Sequence, residues 1–166
     1  MQRTHKDALW IKTLPRSRMI RPKKYMHWLK YALWRLYAPV HPNLRDAAVK
    51  TGLIWHEGRQ DYLLGTIDPR YSLRDVAGHL AKHGFANHFV AWRDEGEVVS
   101  LRYVENFECQ YHIRLYEDGE VRGHFEYTPE CYPLRHMKEE GLEDRREFFF
   151  GILQDKIVPH PNTGTE

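Results

Sequence analysis

Cysteine and long apolar runs are both scarce in this chain. Its 166 residues include two cysteines, Cys109 and Cys131, so one disulfide bridge is the most that could form. This count excludes a disulfide-stapled scaffold and favours free thiols. No stretch approaches the roughly 18 to 20 apolar residues that cross a bilayer, and the N-terminus lacks the apolar stretch of a secretory signal. We therefore expect a cytoplasmic protein without a membrane span.

Motifs that identify a reaction are also missing. The glycines stand singly at turns or strand ends, which excludes a Gly-rich phosphate loop, and no His-Glu-x-x-His zinc motif occurs. A catalytic thiol is poorly supported, because Cys131 and His136 are related only by their proximity in the sequence. These absences favour a non-enzymatic protein without a cofactor.

Acidic residues are nearly absent from the first 40 positions. Residues 1–40 contain ten Lys/Arg and a single acidic residue, Asp7, which gives a net charge of +9. The rest of the chain contains 15 Lys/Arg and 22 Asp/Glu, a net charge of −7. The overall charge of +2 therefore conceals a basic arm that precedes an acidic body.

The N-terminal region divides into two parts. We expect residues 1–21 to form an extended basic arm that is disordered when free. Pro22 suits the first position of a helix over residues 22–38. Helical spacing places one apolar stripe on this helix, consisting of Tyr25, Met26, Leu29, Leu33, Leu36 and Tyr37. The other side, which should meet water, carries the aromatic residues Trp28, Tyr31 and Trp34.

The central region predicts helices and a small hairpin before the sheet. In chain order, the pattern predicts a short helix from Asn43 to Gly52, a hairpin of residues 53–55 with 62–64, and a helix over residues 73–83. The last of these is the best specified. Ser72 and Asp75 form a capping box at its start, and Gly84 can end it in the left-handed conformation.

From residue 87 to residue 127 the apolar period changes from 3.6 to 2, which predicts antiparallel strands. We expect four, at about 88–93, 97–104, 107–116 and 120–127. A three-residue loop with Gly119 at positive φ would pair Leu115 with Val121 and Cys109 with Tyr127, which keeps the apolar residues on one face. After the sheet, a helix is expected over residues 142–157, and residues 159–166 form a frayed tail.

These elements predict an α+β fold. Its mainly antiparallel sheet contains a four-stranded meander at about 88–127, packed by flanking helices and preceded by the basic aromatic helix 22–38. We expect an arm over residues 1–21, a single domain over residues 22–158 and the tail.

The basic arm is the feature most typical of nucleic-acid binding. Cations neutralise phosphates while aromatic rings stack on unpaired bases. The candidate phosphate-binding residues are Arg16, Arg18, Arg21, Lys23, Lys24, Lys30 and Arg35. The candidate stacking residues are Trp28, Tyr31 and Trp34, and the sheet would add a basic surface of Arg102, Arg114 and Arg122. RNA, single-stranded DNA or a nucleoprotein is thus the first partner to consider; a membrane surface, or docking on the protein's own body, explains the same composition.

The predicted register has a second consequence, a candidate metal site. It makes His112 and His124 direct cross-strand neighbours, with Glu126 or Gln110 alongside as an oxygen ligand. A metal-dependent hydrolase is therefore an alternative hypothesis. The competing interpretation is that these residues form the wet face of a one-sided sheet. A third hypothesis is a protein-interaction module that uses the acidic residues around 139–147.

Overall fold

The computed structural model describes residues 8–53, 62–88, 94–137 and 142–160. The helices are α1 (Ala8–Ile11), α2 (Trp28–Tyr37), α3 (His41–Lys50), α4 (Leu73–Lys82), α5 (Pro133–Met137) and α6 (Arg146–Leu153). The strands are β1 (Tyr62–Ile67), β2 (Ala86–Asn87), β3 (Glu97–Val104), β4 (Cys109–Tyr116), β5 (Glu120–Tyr127) and β6 (Ile157–Pro159). Short 3-10 turns lie at Tyr25–His27 and Gln154–Lys156.

The strands form one antiparallel sheet in the order β2-β3-β4-β5-β1-β6. The α+β fold and the meander of β2 to β5 are confirmed. The first strand of the meander, β2, covers Ala86–Asn87 and so begins earlier than expected, whereas residues 89–93 of the expected strand lie outside the described residues.

The register of β4 and β5 is confirmed. Cys109 pairs with Tyr127, Tyr111 with Phe125, and Leu115 with Val121, as the apolar alternation requires. Gly119 adopts a φ of +91° in the connecting loop, a conformation that glycine accepts without strain. Alternate residues of both strands therefore point to opposite faces of the sheet, and this alternation sets up the candidate site.

One face of the sheet packs on α4 and α6. The predicted capping box of α4 is present, with the Ser72 side chain accepting a hydrogen bond from the Asp75 backbone N–H. The buried core of this face consists of Val76, Ala77, Leu80, Phe149 and Leu153 from the helices and of Leu64, Leu101, Ile113, Leu115 and Val121 from the strands. Burial of these aliphatic and aromatic side chains is the main favourable contribution to folding.

Helix α2 faces the opposite way from the expectation. It begins at Trp28, after a 3-10 turn, and not at Pro22. Trp34 is fully buried and Tyr31 is 7% exposed, whereas Leu29 and Leu36 are 70% and 79% exposed. The interpretation of the leucine stripe as the inward face is therefore wrong, and the aromatic side makes the contact with the body.

Described residues near both ends of the chain pack on the body of the protein. Residue Leu14 is buried in the core, and the backbone N–H of Ser17 donates to the Asn87 carbonyl at 2.8 Å. At the other end, α6 stops at Leu153, and β6 replaces the last turn of the expected helix and the start of the expected tail. Strand β1 pairs with β5 and β6, and the expected hairpin partner at 53–55 falls mostly on residues 54–61, which lie outside the described residues.

Two glycines offer a sharp test of the β1–β6 pairing. A Cβ atom at Gly65 would lie 2.2 Å from the backbone oxygen of Val158, whereas a Cβ at Gly151, in α6, would meet nothing within 4 Å. We expect Gly65→Ala to lower the free energy of unfolding by about 2 to 4 kcal/mol through this clash. Gly151→Ala should raise it by up to about 1 kcal/mol. Urea unfolding of both variants measures the difference, and equal effects would contradict the pairing.

Candidate metal centre

The second face of the sheet is polar and buried. In the β3–β4–β5 register, Arg102 lies opposite His112, His112 opposite His124, and Gln110 opposite Glu126. All five residues are at most 4% exposed. The interpretation of this face as the wet side of a one-sided sheet is therefore wrong, because the polar side chains are removed from solvent and need partners inside the protein.

His112, His124 and Glu126 come together as predicted. His112 Nε2 lies 3.4 Å from Glu126 Oε1, and His124 Nε2 lies 3.4 Å from Glu126 Oε2. One ligand atom from each of the three residues lies within 4.8 Å of the other two. The cluster is positioned by rigid strands, since His124 and Glu126 are two apart on β5 and His112 is the cross-strand neighbour of His124.

These separations are close to those of a tetrahedral zinc site. With zinc–ligand distances of about 2.0 to 2.1 Å, two ligands of a tetrahedron lie about 3.3 to 3.4 Å apart. Two histidines and one carboxylate are also a ligand set found in catalytic zinc and non-haem iron proteins. The donor types, and the proximity of one ligand atom from each residue within 4.8 Å of the others, therefore suit a divalent transition-metal ion.

Gln110 bridges the cluster through its amide. Its Nε2 lies 2.6 Å from Glu126 Oε1 and 3.1 Å from His112 Nε2. Its Oε1 is buried and has no hydrogen-bond partner among the described residues, as is also true of His112 Nδ1. A rotation of the amide would exchange the two Gln110 atoms and bring an oxygen ligand to the cluster.

Two further histidines border the cluster, and sequence reasoning did not assign either to it. Helix α5 folds back over the sheet and places His136 Nδ1 3.3 Å from Glu126 Oε1 and 3.1 Å from the Tyr127 carbonyl oxygen. His88 packs its ring against that of His112, with 4.8 Å between the ring centroids. Spacing could not have found them, because both reach the cluster from outside the β4–β5 hairpin.

Burial controls the protonation of this cluster. Loss of solvation lowers the pKa of His112 and that of His88 well below the usual histidine value. Burial by itself would raise the pKa of Glu126, but the neighbouring His136, His124 and His112 outweigh it and hold that pKa well below its usual value. Near neutral pH, His112 is therefore a neutral imidazole and Glu126 a carboxylate, the forms that bind a metal ion.

Two of the three arginines expected to form a basic surface on the sheet are buried. Arg102 and Arg114 are 1% and 2% exposed. Arg102 makes a bidentate ion pair with the buried Glu130, at 2.8 and 3.1 Å, and Arg114 pairs with Asp94. Arg122 is partly exposed and pairs with Glu120. Burial prevents the first two from reaching a phosphate, and Glu130 is a structural partner that the sequence did not reveal.

Most of the N-terminal cations predicted to bind phosphate are exposed, whereas most of the aromatic residues predicted to act with them are buried. The exposed cations are Arg16, Arg18, Arg21, Lys23, Lys24 and Arg35. Lys30 is half-buried, with its ammonium 3.9 Å from Cys131 Sγ and 4.1 Å from the centre of the Tyr132 ring. Of the three candidate stacking residues, Trp28 is 47% exposed, whereas Tyr31 and Trp34 are buried and cannot stack on a base.

A second set of potential metal ligands is less suitable. His27, Glu108 and Cys131 also bring ligand atoms within 4.8 Å of one another. The ammonium of Lys30 lies beside the Cys131 sulfur, however, and would repel a metal cation. The rings of His79, on α4, and His83, just after it, lie 4.4 Å apart in a tilted arrangement, and their ring nitrogens contact backbone carbonyls, as expected of structural histidines.

Helices of the described ranges are all too short or too polar to cross a membrane. Comparison with known proteins gives no match to the chain among protein-family models, curated proteins or solved structures.

Proposed function

We propose that this protein binds a divalent transition-metal ion, with zinc as the best match, through His112, His124 and Glu126. The observation that carries the proposal is the buried cluster in which one ligand atom from each of the three residues lies within 4.8 Å of the other two. Three protein ligands leave a fourth position, which a water or the Gln110 amide oxygen would fill. With water there, the chemistry that the site would supply is hydrolysis by a metal-activated water.

The chain's own residues have distinct roles in this proposal. His112 and His124 offer neutral nitrogen donors from adjacent strands, and Glu126 neutralises part of the charge of the ion. His136 contacts the Glu126 carboxylate at 3.3 Å and holds its orientation, as the neighbours of metal ligands commonly do. Gln110 occupies the same space through its amide nitrogen and would turn its oxygen toward a bound cation.

Metal content tests the proposal directly. We expect the full chain, purified without a histidine tag and dialysed after incubation with zinc, to retain about one equivalent of metal by elemental analysis. The double variant His112→Ala, His124→Ala should retain none, because a single carboxylate remains of the three ligands. Hydrolysis of an activated ester, measured with and without zinc, then tests the fourth position separately from binding.

The matched control removes two histidines elsewhere. His79→Ala, His83→Ala deletes the neighbouring pair at the C-terminal end of α4 and should leave the metal content unchanged. Circular dichroism of both double variants establishes that each still folds. A wild-type protein that retains no metal, or a site variant that retains as much as the control, would contradict the proposal.

The nucleic-acid and protein-interaction hypotheses stay predictions. The nucleic-acid hypothesis keeps the support of the exposed cations between Arg16 and Lys24 and of Arg35. It loses the support of the buried Arg102 and Arg114 and of two of its three aromatic residues, Tyr31 and Trp34. For the second, Glu143 and Asp144 form ion pairs with Arg145 and Arg146 on the protein itself, and residues 138–141 lie outside the described residues. Neither arrangement points to a partner as directly as the buried ligand set does.

A further inference from the structure

The outward face of α2 is apolar. Leu29, Leu33 and Leu36 are 70%, 55% and 79% exposed. At roughly 100° per residue, the three leucines fall within about 60° of one another around the helix, and the buried Tyr31 and Trp34 lie on the other side. This is the reverse of an ordinary surface helix, which turns its aliphatic stripe toward the core. We call Leu29, Leu33 and Leu36 the leucine stripe.

The surroundings of the leucine stripe are strongly cationic. Between Ala8 and Val40 the sequence has eight Lys/Arg and no Asp or Glu. Lys23 and Lys24 immediately precede the 3-10 turn that leads into the helix, and Arg35 lies on α2 itself; all three are exposed. Trp28 and Tyr25, at 47% and 91% exposure, add amphipathic rings beside the leucines.

Exposed leucines beside exposed cations favour some polyanionic ligands of α2 over others. A nucleic acid offers phosphates and stackable bases, but two of the three candidate stacking rings, Tyr31 and Trp34, are buried, and leucine side chains gain nothing from a solvated phosphate backbone. An anionic bilayer offers acyl chains to the leucines, headgroup-level sites to Trp28 and Tyr25, and negative charge to the lysines and arginines. A second copy of the chain would bring like charges together around the stripe.

We propose that α2 docks this protein on an anionic membrane surface, with the leucine stripe inserted among the acyl chains. The helix would lie in the plane of the interface and not across it, with the aromatic side still packed on the body. The leucines supply the apolar contact, while the cations make the docking depend on acidic lipid and on ionic strength. The inference is independent of the metal centre, which lies on the buried polar face of the sheet.

Flotation of the full chain with lipid vesicles tests this inference. We expect binding to vesicles of phosphatidylcholine mixed with phosphatidylserine, weak binding to phosphatidylcholine alone, and a loss of binding as salt is raised. The triple variant Leu29→Gln, Leu33→Gln, Leu36→Gln should lower the partition coefficient about a hundredfold, because most of the inserted apolar area is removed. Lys23→Glu, Lys24→Glu should abolish the preference for phosphatidylserine.

Leu134→Gln is the matched control, since Leu134 is 68% exposed on α5, outside the stripe. This variant should bind vesicles as the wild type does. Equal binding by the triple variant and the control would overturn the proposal, and so would equal binding to both lipid mixtures. Two further results would also overturn it: binding of single-stranded RNA without binding of vesicles, or a dimer without vesicle binding that the triple variant abolishes.

Discussion

Arg102→Met is expected to lower the free energy of unfolding by about 3 to 5 kcal/mol. The guanidinium of Arg102 and the carboxylate of Glu130 are fully buried and joined at 2.8 and 3.1 Å. Methionine would fill much of the volume but would leave the Glu130 charge in the interior with the Ile20 backbone N–H as a donor. Since small domains are stable by only about 5 to 15 kcal/mol in total, this variant should be close to unfolding.

A double-mutant cycle separates the contribution of the ion pair to stability from that of side-chain packing. Glu130→Leu alone should destabilise the protein by a similar amount, because it leaves the buried Arg102 charge without its counter-ion. The double variant Arg102→Met, Glu130→Leu should recover most of the loss, since an apolar pair of similar volume needs no counter-charge. Urea unfolding at pH 7 measures all four proteins. Additive losses in the double variant would show that the two residues do not stabilise the fold as a pair.

Arg122→Met provides the control for removing an arginine from the same face of the sheet. Its guanidinium pairs with Glu120, but the two side chains are 41% and 29% exposed. Water screens such a pair, so we expect a change within about 1 kcal/mol. A loss as large as that of Arg102→Met would mean that burial does not explain the difference between the two ion pairs.

The pairing of β4 with β5 was predictable because two independent constraints agree. Gly119 permits the positive φ that a three-residue loop needs, and the apolar residues fall on one face only in that register. The neighbouring positions of His112 and His124 follow from the same register without further information. The ligand set is therefore a local property of one hairpin, which is why the sequence could predict it.

The burial of that ligand set was not predictable from the hairpin. Alternation of apolar and polar residues ordinarily means one wet face, and nothing within β4 or β5 indicates a cover. In the structure, residues distant in sequence approach this face: Ile20 and Ser17 contact the Arg102–Glu130 pair, and His136 reaches Glu126. These are tertiary contacts, which depend on where the N-terminal segment and α5 fold back.

Helix α2 shows why a periodic pattern can be assigned to the wrong face. Its leucines and its aromatic residues each form a stripe at helical spacing, so periodicity alone allows either stripe to be inward. Trp34 and Tyr31 bury larger rings than any leucine could, and the structure places them inside. The surface on which the helix packs determines which of the two stripes is buried, and the residues of that surface lie outside 22–38.

Acidification should destabilise the metal-free protein in two stages. Burial lowers the pKa of His88 and His112 well below their ordinary value of 6.5. Below that pH, the unfolded chain therefore binds more protons at these imidazoles than the folded chain does. Stability is therefore complete above about pH 6.5 and should fall below it by about 1.4 kcal/mol per pH unit for each histidine. Glu126 has a lowered pKa as well, so its contribution is present above its ordinary value of 4.5 and is lost only as the pH falls further.

Urea unfolding in the presence of a chelator, from pH 7.5 to pH 4, measures this dependence. His88→Gln should reduce the slope below pH 6.5 by about one proton, because one of the two imidazoles with a lowered pKa is gone. His83→Gln removes an exposed histidine of α4 and should leave the slope as in the wild type. Added zinc should move the decline to lower pH, since metal and protons compete for the same imidazole nitrogens. A slope that His88→Gln leaves unchanged would mean that the buried histidines do not govern acid stability.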